Sequence, residues 1–225
     1  MNAKKLAADK AVEYIKDGMT VGLGTGTTAL FAIQRIGEMV QQGLHIQAVA
    51  SSLASAALAE KAGIPMVGMT EICGIDVTID GADEVDAYCN LIKGGGGALT
   101  REKILAFNSR QLIIIVDETK LSQTLGRFAV AAELVPFGYN LALTHLEALG
   151  CKATIRQNEN GFFKTDNGNW IADCRFPIIN HPEKLNTDIN TIPGVIESGL
   201  FSHQLVHSVI VGYEDGSVKV LQPGV

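Results

Sequence analysis

The segment 22–29, with the sequence GLGTGTTA, contains the first residues whose types could do chemistry. It follows an apolar run and precedes a helical pattern, and the free backbone N–H groups at the start of a helix attract anions. Three side chains add hydroxyl donors for a terminal phosphate: Thr25, Thr27 and Thr28. The loop is therefore predicted to bind a monophosphate. A glycine turn needed only for tight strand-to-helix packing is the alternative.

The same loop satisfies the dinucleotide-binding pattern GxGxxG/A at Gly24, Gly26 and Ala29. That pattern also requires an acidic residue about 20 positions further on, which holds the ribose hydroxyls. Ser51 and Ser52 stand there instead. The missing acid favours a monophosphate over a dinucleotide, and it weakens an NAD(P)-dependent enzyme as an alternative function.

A second candidate is the acidic segment DGADE, which directly follows the apolar strand pattern 75–79. It consists of Asp80, Gly81, Ala82, Asp83 and Glu84. Open α/β sheets bind ligands at the carboxyl ends of their strands, and carboxylates there can hold hydroxyl groups. A surface Asp-Gly turn without a ligand is the competing interpretation.

Four consecutive glycines, at 94–97, form the third candidate. Lys93 precedes them and the sequence ALTREK follows, so the run is predicted to be a nest of amide donors that leads into a helix. The candidate binding residues are Lys93, Gly94, Gly95 and Gly96. A flexible hinge is the alternative, although glycine-rich linkers are longer and have polar flanks.

Glu102 falls in the first turn of the helix that follows the glycines, and Thr100 is predicted to be its N-cap. One interpretation is a glutamate that merely stabilises the helix dipole, by about 0.3–1 kcal/mol. The other is a general base, which the neighbouring glycine nest and lysine make plausible. The dipole would keep the carboxylate ionised, as the removal of a carbon-bound proton requires.

Lys120 follows the all-apolar strand pattern 112–116, which brings it to the same edge of the predicted sheet. It could neutralise a phosphate, although a lysine in a polar loop is more often only solvated.

His203 and His207 have helical spacing, but a strand is predicted to begin near residue 206 and no carboxylate joins them. No metal site is predicted.

Alternating helical and apolar segments must position these residues. Helices are predicted at 3–17, 27–42 and 53–62, and strands at 19–23, 45–50, 64–67, 75–79 and 112–116. The run 112–116 is apolar at every position, as in a strand that is covered on both faces of a parallel sheet. The first ~125 residues are therefore predicted to form a doubly wound, mainly parallel α/β domain.

From about residue 128 the pattern changes to that of a smaller α+β domain. Strands are predicted at 129–131, 153–156 and 170–174, and helices at 140–149 and after Pro182. Two final strands, 206–211 and 217–221, flank a Glu-Asp-Gly turn and are predicted to return to the main sheet. The predicted domains are 1–127 with 204–225, and 128–203, the latter with a place at an oligomer interface.

The composition of the chain limits the classes of molecule that it is expected to bind. The 225 residues carry a formal charge of −6, and the 18 lysines and arginines are dispersed, so neither nucleic acid nor a membrane surface is an expected partner. The start of the chain lacks the apolar core of a signal peptide, and a cytoplasmic location is expected. The four cysteines show no CxxC spacing and are predicted to be reduced, mostly packed thiols.

Taken together, seven motifs resemble the type A ribose-5-phosphate isomerase family over nearly the whole chain. They are GLGTGTTA (22–29), AVASSLAS (48–55), DGADE (80–84), KGGGGALTREK (93–103), DETK (117–120), TDNGNWIAD (165–173) and IPGVIESGLF (192–201). DGADE together with KGGGGALTREK, at this separation, is the specific part of the resemblance. The resemblance implies interconversion of ribose 5-phosphate and ribulose 5-phosphate through an enediolate, without metal or cofactor, by a homodimer or homotetramer.

The resemblance also implies a role for each candidate. Glu102 would move a proton between C2 and C1, while Lys93 and the amides of the following glycines would bind the sugar end and the developing oxyanion. Asp80 and Asp83 would hold hydroxyls and assist ring opening. The phosphate would be gripped by Thr25, Gly26, Thr27, Thr28 and Lys120. Thr27 and Thr119 stand where the family commonly has serine, and both keep a hydroxyl.

A non-catalytic sugar-phosphate sensor is the rival from another class, because effector domains of regulators share this general architecture. Such a chain should carry a DNA-binding helix pair with a basic recognition helix. Neither feature is predicted from this sequence.

Overall fold

A computed structural model describes residues 2–224 of the chain. Six α-helices occur in this part of the chain: α1 (Ala3–Ala11), α2 (Thr27–Gln41), α3 (Leu53–Lys61), α4 (Leu99–Phe107), α5 (Tyr139–Ala148) and α6 (Pro182–Asn190). Short 3-10 turns lie at Val12–Tyr14, Met69–Glu71, Glu118–Lys120 and His203–Leu205. None of the helices within 2–224 is long and apolar enough to cross a membrane.

Fifteen β-strands lie within the same residues. They are β1 (Thr20–Leu23), β2 (Gln47–Ala50), β3 (Ile75–Gly81), β4 (Glu84–Val85), β5 (Leu91–Ile92), β6 (Ser109–Asp117), β7 (Val130–Leu134), β8 (Lys152–Ile155), β9 (Gln157–Asn158), β10 (Gly161–Phe162), β11 (Trp170–Arg175), β12 (Val195–Ser198), β13 (Leu200–Phe201), β14 (Ser208–Gly212) and β15 (Val218–Leu221).

The chain divides into two compact units. The first comprises Met1–Ala82, Arg101–Lys120 and Gln204–Val225, and the second comprises Asp83–Thr100 and Leu121–His203. The predicted domain boundaries, 1–127 with 204–225 and 128–203, stay a prediction, because a division by contacts does not test which segments fold alone.

A six-stranded sheet in the order β15-β14-β6-β3-β1-β2 organises the first unit. Its neighbouring strands are parallel except for the pair β14 and β15. The predicted α/β class with a mainly parallel sheet is thus confirmed. The strand order reverses between β1 and β3, and the crevice outside the carboxyl ends of strands at such a reversal is where open α/β sheets bind ligands.

Burial explains why the first unit's strands are apolar. Residues 112–116 are at most 2% exposed, as the uninterrupted apolar run predicts. Three small residues of α1, Ala7, Ala8 and Ala11, are fully buried in the same hydrophobic core as β1 and β3. The helix begins where the Asn2 side chain accepts the N–H groups of Lys4 and Lys5, at 3.1 and 3.3 Å.

The second unit combines helices α5 and α6 with antiparallel sheets, as the α+β prediction expects. One sheet has the order β12-β7-β11-β8 and another the order β13-β5-β4, while β9 and β10 form a hairpin. The strands β7 and β11, together with α5 and α6, contribute to one hydrophobic core.

Two predicted elements differ from those observed. The predicted strand 64–67 reduces to a single parallel bridge between Ala48 and Met66. The helix predicted for 3–17 ends at Ala11 and tightens into a 3-10 turn, in which the N–H of Ile15 donates to the carbonyl of Val12. Gly18 has a left-handed backbone conformation, but its N–H donates to the carbonyl of His45, two residues before β2, rather than closing the helix.

The four cysteines are free thiols: Cys89 and Cys174 are buried, Cys151 is half-buried and Cys73 is exposed. The Cys151 thiol donates to the carbonyl of Leu146 at 3.3 Å, and the Cys174 thiol donates to the carbonyl of Ala172 at 4.0 Å. The neighbouring Cys174 thiol lowers the pKa of Cys151, and the Cys151 thiol together with burial raises the pKa of Cys174.

Candidate active site

The predicted phosphate loop joins β1 to α2 at the point where the strand order reverses. Gly26 is the N-cap of α2 and has φ +109°, a conformation that favours glycine. Among residues 2–224 no side-chain cap bonds to the start of this helix, as expected for a glycine N-cap, so its first amides lack a side-chain cap. Thr27 begins the helix and is exposed beside them. The arrangement is that of an anion-binding helix start.

Asp80, at the end of β3, stabilises this loop by accepting backbone hydrogen bonds. Its carboxylate is only 1% exposed, and Oδ1 accepts the N–H of Thr25 at 3.1 Å and that of Gly81 at 2.7 Å. A Cβ at Gly24 would lie 2.0 Å from the same oxygen, so only glycine permits the approach. The structure therefore makes Asp80 a support of the loop, whatever it also does for a substrate.

The hydroxyl of Thr25 points into a cluster of serines. Its Oγ1 lies 2.7 Å from Ser51 Oγ, 2.9 Å from Ser52 Oγ and 3.3 Å from Ser55 Oγ. Ser55 in turn donates to the carbonyl of Gly24 at 2.7 Å. Ser51 and Ser52 directly follow β2, where a dinucleotide enzyme would carry its ribose-binding acid, and Ser55 lies in the first turn of α3. Here they hold the loop, which again favours the monophosphate interpretation.

Lys4 is a candidate residue that the sequence analysis missed. Its Nζ donates to Thr27 Oγ1 at 3.1 Å, which places an ammonium group at the start of α2. No motif marks a lysine on an amino-terminal helix, and the contact joins residues 23 positions apart. Only the packing of α1 in the first unit reveals it.

The remaining predicted residues of the first unit lie at the same edge of the sheet. Lys120 ends the 3-10 turn that follows β6, the strand next to β3. Asp117 fixes this turn by accepting both the N–H and the hydroxyl of Thr119. Gly81 and Ala82 are half-buried, and a Cβ at Gly81 would lie 4.0 Å from Thr28 Cβ.

In the second unit the four glycines form a tight turn. Gly94 and Gly97 have φ +96° and +81°, and the N–H of Gly97 donates to the carbonyl of Gly94 at 3.0 Å. Gly95 and Gly96 are exposed at its tip. Lys93, which precedes the turn, is only 3% exposed, and its Nζ lies 5.5 Å from the centroid of the Phe201 ring. The turn is thus an ordered structure, which speaks against the flexible hinge.

Asp83 contacts this turn directly. Its Oδ2 accepts the N–H of Gly95 at 2.7 Å. Asp83 and the amide of Gly95, both predicted to bind a ligand, are therefore hydrogen-bonded to each other.

We expect Gly95→Ala to damage activity more than stability. The new Cβ would lie 2.5 Å from Asp83 Oδ1 and would push the carboxylate away, whereas Gly95 lacks the positive φ that makes alanine costly. Loss of a charged hydrogen bond of about 1.5–3 kcal/mol should lower kcat/KM roughly 10- to 100-fold. Steady-state kinetics and thermal unfolding of one preparation would test this.

Gly150→Ala is the matched control, because Gly150 has φ +97° and nothing within 4 Å of its added Cβ. It should lower the melting temperature and leave kcat/KM unchanged. Equal losses of stability and activity in both variants would contradict the role of the Asp83–Gly95 pair.

Glu102 lies in the first turn of α4 and is 4% exposed. The prediction that Thr100 caps this helix is wrong, because α4 begins at Leu99 and Thr100 lies inside it. The Thr100 hydroxyl donates instead to Glu133 Oε2, at 2.5 Å. The Thr100 hydroxyl, which the local sequence pattern predicts as a helix cap, is thus bound to the buried carboxylate of Glu133 in β7.

Glu133 explains the motif TDNGNWIAD. This carboxylate is fully buried, and its Oε1 accepts from Thr165 Oγ1 at 2.8 Å, Asn167 Nδ2 at 3.2 Å and Asn169 Nδ2 at 2.9 Å. The motif therefore satisfies a buried charge that also holds Thr100, two residues before Glu102 in the same helix. Four neutral donors are what such a carboxylate requires in place of water.

His203 and His207 have separate environments. His203 Nδ1 lies 3.2 Å from Asn90 Oδ1, and the His207 ring packs edge-on against Tyr14. Among residues 2–224, no group of three or more histidine, cysteine or acidic side chains could hold a metal ion.

Comparisons with known proteins agree on one family. The family model of ribose 5-phosphate isomerase A (phosphoriboisomerase A) matches residues 47–216. The chain is similar to ribose-5-phosphate isomerase A 1 of Oceanobacillus iheyensis, with 48% identity over 94% of this chain and 95% of that one. It is 45% identical to ribose-5-phosphate isomerase A of Bacillus mycoides, over 96% of this chain and 98% of the relative.

Solved structures show the same likeness. A D-ribose-5-phosphate isomerase in complex with phospho-erythronic acid superposes with a TM-score of 0.95 at 41% identity, covering 99% of this chain and 100% of that one. Ribose 5-phosphate isomerase from Plasmodium falciparum gives a TM-score of 0.94 at 37% identity, with 99% of both chains covered.

Proposed function

Because this chain belongs to the ribose 5-phosphate isomerase A family and is an aldose–ketose isomerase, we propose that it interconverts D-ribose 5-phosphate and D-ribulose 5-phosphate through an enediolate, with Glu102 as the base. The observation that carries this proposal is the family match over 47–216, which includes Glu102 and the glycine turn. The buried position of Glu102 at the start of α4 supports its part in the reaction.

The chemistry requires one proton to move between two carbons. The carboxylate of Glu102 removes the proton from C2 of the open-chain aldose, and the electron pair moves toward the C1 carbonyl oxygen. The same group, now protonated, returns the proton to C1 of the enediolate, while the O2 proton transfers to O1. A carbon-bound proton is weakly acidic, so the negative charge on oxygen must be stabilised as it forms.

Lys93 and the glycine turn are assigned to that stabilisation. An ammonium group and backbone N–H groups act most strongly on a developing oxyanion where water is excluded, and Lys93 is buried. Asp83 and Asp80 are assigned to the sugar hydroxyls and ring opening. Asp80 also accepts hydrogen bonds from two backbone N–H groups, which favours an additional role in shaping the phosphate loop.

The phosphate is assigned to the start of α2. Its uncapped amides, the hydroxyls of Thr27 and Thr28, and the ammonium groups of Lys4 and Lys120 form the proposed anchor. Binding energy from a group that does not react can orient the carbons that do.

Lys120→Ala and Lys4→Met should each raise KM for ribose 5-phosphate. Removing a charged hydrogen bond worth about 1.5–3 kcal/mol corresponds to roughly 10- to 100-fold. Lys61→Met, on the exposed face of α3, is the control and should leave KM unchanged. An unchanged KM in Lys120→Ala would refute its role as an anchor.

Isotope exchange tests the reaction itself. In D2O with a chelator present, the protein should convert ribose 5-phosphate and place solvent deuterium at C1 of ribulose 5-phosphate. Saturable binding of the sugar phosphate without exchange would favour the sensor instead.

We further propose that the enzyme works in the cytoplasm as a homodimer or homotetramer, as the resemblance implies. Sedimentation equilibrium would test the assembly, and a monomer at micromolar concentration would contradict it.

A further inference from the structure

Arg156 joins the glycine turn to the rest of the second unit. Its Nη1 donates to the carbonyl of Gly94 at 2.9 Å and to the carbonyl of Gly95 at 3.0 Å. Its side chain is only 16% exposed, and the guanidinium carbon lies 5.8 Å from the centroid of the Phe163 ring. A single guanidinium therefore binds two successive peptide groups of the turn.

Peptide planarity converts these two contacts into a direction for two amides. In a trans peptide the carbonyl of one residue and the N–H of the next point to opposite sides. Because the carbonyls of Gly94 and Gly95 face Arg156, the N–H groups of Gly95 and Gly96 face away from it. The observed bond from the Gly95 N–H to Asp83 Oδ2, at 2.7 Å, marks that opposite side.

The position of Arg156 is itself fixed. Asp173 accepts from both Nε, at 3.0 Å, and Nη2, at 2.5 Å, which is the bidentate pairing that guanidinium groups form with carboxylates. The backbone of Arg156 is held on both sides, since its N–H donates to Ile171 at 2.8 Å and its carbonyl accepts from Phe163 at 2.9 Å. The guanidinium is thus a rigid fork with a defined orientation.

We propose that Arg156 is a positioning residue for catalysis: it holds the N–H of Gly95 on Asp83 and turns the N–H of Gly96 to the same side, so that the Gly96 N–H can bind the enediolate oxygen. This inference rests on the proposed function of the glycine turn. Hydrogen bonds from a cation to the two carbonyls also polarise both peptides and strengthen their N–H groups as donors. Arg156 does not contact the substrate in this role.

The test compares Arg156→Met and Arg156→Lys with the wild type. Removing one preorganised donor typically costs about 10²–10³ in kcat, so Arg156→Met should lose at least about 100-fold in kcat while KM changes less than about 3-fold. Arg156→Lys keeps the charge but lacks the fork, and it should recover only a small part of kcat. Arg175→Met, at the exposed end of β11, should have wild-type kinetics.

Two measurements separate positioning from a merely structural role. Added guanidinium chloride at millimolar concentration should restore part of kcat in Arg156→Ala but not raise kcat of the wild type. A phosphorylated aldonic acid, such as the phospho-erythronic acid bound in a related structure, carries a carboxylate at the reacting end. Its binding, measured by calorimetry, should weaken in parallel with kcat.

The inference is overturned by kcat within about 3-fold of wild type in folded Arg156→Met, or by an unfolded Arg156→Met together with a folded, fully active Arg156→Lys. Loss of kcat without rescue by guanidinium, and with unchanged inhibitor binding, would also overturn it. Glu102→Gln keeps the two hypotheses apart: normal turnover in that variant contradicts the proposed base, whatever the Arg156 variants do.

Discussion

Glu102→Gln is expected to lower kcat by at least about 100-fold and to leave KM nearly unchanged. Glutamine has almost the same size and retains a side-chain oxygen, so the packing of a side chain that is 4% exposed should survive. It cannot accept the C2 proton, because its amide is not a base at neutral pH. Initial rates, with circular dichroism as a check of folding, would measure the effect.

The controls for Glu102 distinguish a base from a helix-stabilising charge. Glu60→Gln removes an exposed glutamate from α3 and should change neither kcat nor KM. Glu102→Asp keeps the carboxylate one methylene shorter, so part of kcat should remain and deuterium should still reach C1. Wild-type turnover in Glu102→Gln would show that this residue serves only the helix dipole, whose contribution is about 0.3–1 kcal/mol.

Lys93→Met is expected to lower kcat strongly in a protein that still folds. The ammonium group is buried beside the Phe201 ring, and methionine can keep the packing against this aromatic side chain. Methionine has nearly the length of lysine, so the variant should stay folded, which circular dichroism would check. Loss of the cation at the developing oxyanion should cost about 10²–10³ in kcat.

Lys61→Met is the matched control, since it makes the same change on an exposed face of α3 and should have no kinetic effect. Lys93→Arg tests whether charge alone suffices: a larger, planar group in a closed space should restore little of the activity. A Lys93→Met variant with normal kcat would remove Lys93 from the proposed mechanism. A variant that is inactive because it unfolds would show instead that the ammonium group is structural.

The main sheet could be predicted because its signals are local. The run 112–116 is apolar at every position, as expected for a strand that is covered on both faces of a parallel sheet. The turn after residue 213 likewise predicted the antiparallel pair β14 and β15. By contrast, the apolar stretch 64–67 looks like a strand, yet it forms one bridge at Met66, because pairing depends on the neighbour available at the sheet edge.

The candidate site divides in the same way. The loops at strand ends were recognisable from glycine, threonine and acid spacing alone. The partners that shape them were not: Lys4 meets Thr27 across 23 positions, and Arg156 meets Gly94 across 62. Thr100 was assigned to a helix cap on local grounds, and a carboxylate 33 positions away decided its contact.

Composition and spacing alone therefore determined the α/β class, the loops at the strand ends and the acids, lysines and glycines that could act there. These features follow from backbone geometry within a few residues, such as the positive φ of Gly26 or the start of a helix. Only the tertiary structure decided which polar groups support the site and which are turned outward. Asp80, Glu133 and Arg156 fulfil their hydrogen bonds with groups distant in sequence, because a buried charge binds whichever donors or acceptors the fold brings to it.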